Sequence, residues 1–112
     1  MKIEFLYFDG CPSYKIAFQY LNEVLEEENI GSESDYEHRA EIEKIKVKSE
    51  EEAKRLKFLG SPSIRINGKD LDQNSQDSKD FGMKCRIYFE DGKTQGWPSK
   101  ESIRKAILDA RS

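Results

Sequence analysis

The chain has 112 residues, enough for one hydrophobic core and too few for two, so a single domain spanning 1–112 is expected. Charged residues make up 37% and hydrophobic ones 36%, with a formal net charge of -3, and this acidic balance argues against a nucleic-acid or anionic-membrane partner. No apolar run approaches the roughly 18 residues of a membrane span, and the first ten residues carry Glu4 and no small-residue cleavage site, so a cytoplasmic location is the expectation.

Residues 2–8 are rich in Ile, Phe and Tyr and predict a largely buried strand. From Pro12, apolar residues recur as Ile16, Ala17, Tyr20, Leu21, Val24 and Leu25, a helical stripe that runs out near Gly31. Pro12 suits the first helical position, where its missing N–H would have had no partner. Residues 31–40 predict a polar connection, and the sole histidine, His38, is assigned to solvent there. "EIEKIKVK" alternates Ile45 and Val47 with lysines and predicts a strand with one wet face or an edge. Ser49 and Glu52 form a capping box for the next helix, with Ala53, Leu56 and Leu59 facing inward and Gly60 as a left-handed cap.

"SPSIRING" predicts a strand through Ile64 and Ile66 that ends in the Asn67-Gly68 turn. Residues 69–82 are polar and predict a surface loop. "MKCRIYFEDGK" predicts a strand pairing antiparallel with the preceding one, with Cys85, Ile87 and Phe89 sharing a face. Trp97-Pro98-Ser99 opens a closing helix with Ile103, Ala106, Ile107 and Ala110 on its inner stripe.

Two cysteines are too few for a disulfide framework. Cys11 stands ahead of a helix, where unpaired backbone N–H groups and the positive end of the dipole favour thiolate, the form that attacks disulfides and binds soft metals. That placement predicts that Cys11 is alkylated faster than Cys85, and Ser13 is placed to hydrogen-bond its sulfur. The plainer reading makes Cys11 an ordinary cap thiol. Cys85 likewise has two readings: a buried inert thiol beside Ile87 and Phe89, or a resolving thiol and second soft ligand for Cys11. An antiparallel return would bring residues nearer 89 beside Cys11, although the 69–82 insertion could shift that register. With Cys85 placed as a core residue on a strand, no bridge is expected. Sharper motifs fail. "DLDQNSQ" lacks the glycine and closing glutamate of a calcium loop, and two cysteines with one distant histidine do not make a zinc site. No metal or cofactor is expected.

The strand–helix order, "FDGCPSY" at the first strand's end, "GSPSIRI" after the second helix and "GWPSKESIRKAI" at the close together resemble the thioredoxin superfamily. More narrowly, the chain is similar to a group of small thioredoxin-like proteins, some catalogued beside alkylmercury lyases. The resemblance implies a thioredoxin-like α/β fold of βαβ–α–ββα order, with a four-stranded mixed sheet flanked by helices. It also implies a cis Ser61–Pro62 peptide and a groove lined by Pro12, Tyr14, Ser61 and Pro62 that offers backbone groups to an extended substrate. The chain departs from thioredoxin at Tyr14, where the second cysteine of Cys-x-x-Cys would stand. Tyr14 is read as a packing residue or a proton donor.

The function implied is a thiol-dependent oxidoreductase, either a thiol–disulfide oxidoreductase or a thiol-peroxidase-like enzyme. Cys11 would be its nucleophile, Ser13 the partner of that sulfur, and Cys85, glutathione or a partner thiol the reductant. Its partner would be a thiol or disulfide, protein or small molecule. Two rivals stand beside it. One is a non-catalytic peptide-binding or accessory protein of the same fold. The other is soft-metal or organomercurial handling by the two thiolates. Nothing in the sequence sets the oligomeric state.

Overall fold

The apolar N-terminal segment becomes the hub of a mixed sheet. In the computed structural model, which describes residues 1–28, 41–75 and 78–111, β1 (Lys2–Tyr7) pairs in parallel with β2 (Glu41–Lys46). On its other side it pairs antiparallel with β3 (Ser63–Ile66), which in turn pairs with the two-residue β4 (Lys69–Asp70), giving the order β2-β1-β3-β4. The polar connection 31–40, with His38, lies outside the described residues.

Alternation along β1 sends its side chains to two separate cores. Ile3 and Phe5 join Ile64 and Ile66 of β3 beneath helix α1 (Tyr14–Glu27) and helix α3 (Lys100–Arg111). Leu6 faces the other way and packs with Val47, Ala53 and Phe58 around the short helix α2 (Glu50–Arg55). Two helices therefore cover one face and one helix the other. Helix starts follow the sequence chemistry: Ser49 accepts from the Glu52 N–H at 3.1 Å, and Ser99 accepts from the Ser102 N–H at 3.1 Å.

Several expectations are corrected. Helix α1 begins at Tyr14 with Ser13 as its cap, so Pro12 precedes it. The left-handed residue after α2 is Lys57, at φ 57, and not Gly60. Gly60 serves the chain differently: its φ is +123, and an added Cβ would lie 3.0 Å from the Cβ of Arg86 and 3.2 Å from its backbone. Glycine there lets the segment around residue 86 lie flat against the end of α2's loop.

The largest correction concerns 83–93. This segment supplies no strand to the main sheet, whose fourth member is β4, placed in the stretch expected to be loop. Only Tyr88–Glu90 (β5) is strand, and it forms a separate hairpin with β6 (Lys93–Gln95). Its faces are also the reverse of an apolar-inside reading, because Ile87 and Phe89 are each 71% exposed while Arg86 and Tyr88 are buried.

Candidate functional site

Three backbone segments converge at the C-terminal end of β1. The first is the turn 8–13, in which the Cys11 N–H donates to the Phe8 carbonyl and the Cys11 carbonyl accepts from Tyr14 N–H, each at 3.4 Å. The second is the loop 60–62, with Ser61–Pro62 in the cis form that the resemblance implies. The third is the stretch 82–88.

Segment 82–88 is pinned along its length. Gly82 N–H donates to the Phe58 carbonyl at 3.0 Å, and Met83 N–H donates to Glu50 Oε1 at 3.1 Å. Ser61 N–H then donates to the Lys84 carbonyl at 2.8 Å, and Arg86 N–H returns a bond to the Ser61 carbonyl at 3.0 Å. These two bonds make an isolated parallel bridge between Ser61 and Cys85. They bracket Cys85 on both sides.

The bracket sets Cys85 opposite Cys11. Their Cα atoms are 5.7 Å apart, inside the span a disulfide bridges, and the two sulfurs are bonded to each other. The expectation of an unbridged, inert Cys85 is therefore overturned. Its physical cause is that 83–87 does not run antiparallel to β3 but crosses beside Ser61 as a single parallel bridge, which moves the register from 89 to 85. The two halves of the bond differ in access. Cys11 is 2% exposed, whereas Cys85 lies at the surface.

Other predicted residues fall out differently. Ser13 makes no hydrogen bond to the sulfur; its hydroxyl faces Gly96, where an added Cβ would come within 2.7 Å of it. Tyr14 packs its ring 4.5 Å from that of Tyr7, beside Lys44, and its hydroxyl helps hold the Asp9 carboxyl below its ordinary range, behind the larger effect of the Lys46 ammonium. Pro12 is exposed. Ser61 is fully enclosed, its hydroxyl accepting from Phe8 N–H at 3.2 Å, and Pro62 is fully buried. The backbone N–H and carbonyl of Ser61, expected to face a substrate groove, bond instead to the chain's own Lys84 and Arg86.

Sequence reasoning passed over the residues that hold this arm in place. Arg86 donates to both carboxylate oxygens of Asp70, at 2.8 and 2.6 Å, and to Ser63 Oγ at 3.1 Å, with both ion-pair side chains only 7% exposed. Tyr88 stacks 4.6 Å from that guanidinium and donates its hydroxyl to the Pro62 carbonyl at 2.7 Å. The signal was the Arg86 and Tyr88 face of the 85–89 alternation, opposite the face shared by Cys85, Ile87 and Phe89. A concavity of about 530 Å³, lined by Leu71, Phe89, Lys105 and Asp109 among others, includes neither cysteine.

Burial pushes the Tyr88 hydroxyl well above its ordinary value near 10, with Asp70, Asp72 and Glu90 adding to the rise and Arg86 opposing it. A phenol whose folded pKa is raised favours the folded state less once the unfolded chain can ionise. Stability should therefore hold below about pH 10 and fall above it. Tyr88→Phe should flatten that alkaline fall while costing about 1 kcal/mol at neutral pH through the lost bond to Pro62. Urea melts at pH 7 and at alkaline pH test this, and an equal alkaline loss in both proteins would refute it.

No protein-family model matches the chain, and no curated protein or solved structure matches it. Among the described residues, no helix is long and apolar enough to cross a membrane, and no group of three or more His, Cys, Asp or Glu side chains is arranged to hold a metal ion.

Proposed function

We propose that this protein is a thiol–disulfide oxidoreductase of thioredoxin-like fold in which Cys11 and Cys85 form the reversible couple. Cys85 supplies the second sulfur that the chain lacks at position 14. The observation that carries this reading is the pairing of an enclosed and an exposed cysteine at the mouth of α1, with backbone bonds to Ser61 flanking Cys85 on both sides. The helix's positive end favours the thiolate that Cys11 becomes on reduction. The substrate is a thiol or a disulfide, and the cytoplasm is the proposed setting.

The test is turnover of a small disulfide with glutathione as reductant. Wild type should cycle, and both Cys11→Ser and Cys85→Ser should fall to the rate of uncatalysed exchange. Full turnover in either variant would overturn the two-cysteine couple.

Soft-metal binding is the second reading, favoured by the same adjacency: once reduced, the two sulfurs face one another as a chelating pair for a thiophilic cation. Tight one-to-one binding of mercuric ion without disulfide turnover would favour it. The peptide-binding reading is the weakest, because the backbone groups of Ser61 are already bonded to 84–86.

A further inference from the structure

Resting on the two-cysteine couple just proposed, we infer that Cys85 is the sulfur through which electrons enter, that Cys11 is the leaving and resolving sulfur, and that the reductant is a low-molecular-weight thiol. This reverses the roles that the sequence suggests. A thiolate attacks a disulfide along the S–S axis, from the side opposite the departing sulfur. Access therefore decides which sulfur is struck. Attack on Cys11 would require a nucleophile arriving from within the protein, behind a residue that is 2% exposed. Attack on Cys85 arrives from solvent, where that residue is exposed.

The thiol's sulfur bonds to Cys85 Sγ, the Cys11–Cys85 bond breaks, and its electron pair comes to rest on Cys11 Sγ. A second molecule of the same thiol then attacks the external sulfur of the mixed disulfide. This releases the oxidised thiol dimer and leaves Cys85 as thiolate. Two thiols are oxidised to one disulfide, and the protein disulfide gains two electrons.

The size restriction comes from Ser61. An extended peptide would need a free backbone edge beside the disulfide, and the Ser61 N–H and carbonyl are bonded to Lys84 and Arg86 in the oxidised protein. A small thiol needs no such edge.

Oxidised wild type mixed with excess glutathione, quenched in acid, alkylated and mapped by mass should carry glutathione on Cys85 and the alkyl group on Cys11. Glutathione on Cys11, or on both equally, would overturn the assignment. Because Cys11 can expel the adduct quickly, single-cysteine proteins give a second readout. Cys11→Ser glutathionylated on Cys85 should release glutathione to dithiothreitol at least tenfold faster than Cys85→Ser glutathionylated on Cys11. Equal or reversed rates would overturn the inference while leaving the couple intact. Two freely alkylated cysteines after diamide treatment would overturn the couple itself, and the inference with it.

Discussion

Reducing the Cys11–Cys85 bond should lower the unfolding free energy by about 4–5 kcal/mol. The bond links residues 74 apart in sequence, so it removes a large share of the unfolded chain's freedom. The native state is expected to give little back, because Ser61 is joined to Lys84 and Arg86 by backbone bonds that do not involve the sulfurs. Such a loss would be a large part of the roughly 5–15 kcal/mol that stabilises a typical domain. Urea melts of wild type with and without a reductant should therefore differ by several kcal/mol. Cys85→Ser should melt near the reduced wild type under both conditions. A gap under about 1 kcal/mol would show that the unfolded chain gains little freedom on reduction, contrary to loop-closure reasoning.

Asp70→Ala should be nearly as damaging, costing about 3–5 kcal/mol, because it strands the Arg86 guanidinium in the interior. The side chains of the pair are each 7% exposed, so water cannot take the place of the lost carboxylate. Ser63 and Ser75 also accept from Arg86, but neither carries a countercharge. Replacing both partners together, with Asp70→Leu and Arg86→Met, should recover much of the loss, since a buried pair and an apolar pair of similar size are often comparable in stability. A single-variant loss below about 1 kcal/mol, or a double variant no better than Asp70→Ala, would contradict this account.

What could be read in advance was what depends on local chemistry. The apolar stretch 2–8, the Ser49 cap and the stripe 16–25 each specify their own element, and β1, α2 and α1 follow them. The cis Ser61–Pro62 peptide matched a short pattern of neighbours. The candidate site was harder, because the position of Cys85 depends on a crossing that no local pattern encodes. An alternating segment with apolar Ile87 and Phe89 suggests an inward apolar face. Here the ion pair with Asp70, a residue 16 positions earlier, turns Arg86 inward instead, and the alternation then carries Cys85 outward. One buried charge pair thus reverses the sense of five residues. Phe58, just past the end of α2 and outside any periodic stripe, was missed as a core residue for a similar reason: it is fixed by Leu6, Val47 and Ala53.

The two bonds that bracket Cys85 also govern what happens after the disulfide opens. In a loose chain, sulfurs so far apart in sequence would meet rarely. In the folded protein, ring closure is closer to the reaction of two groups on one small molecule, for which effective molarities reach about 10⁵ M and above when alignment is good. A monothiol therefore competes with a neighbour that is always within reach, and must be supplied in large excess to keep the pair open. A dithiol reductant, whose second sulfur is tethered in the same way, should empty the bond at far lower concentration.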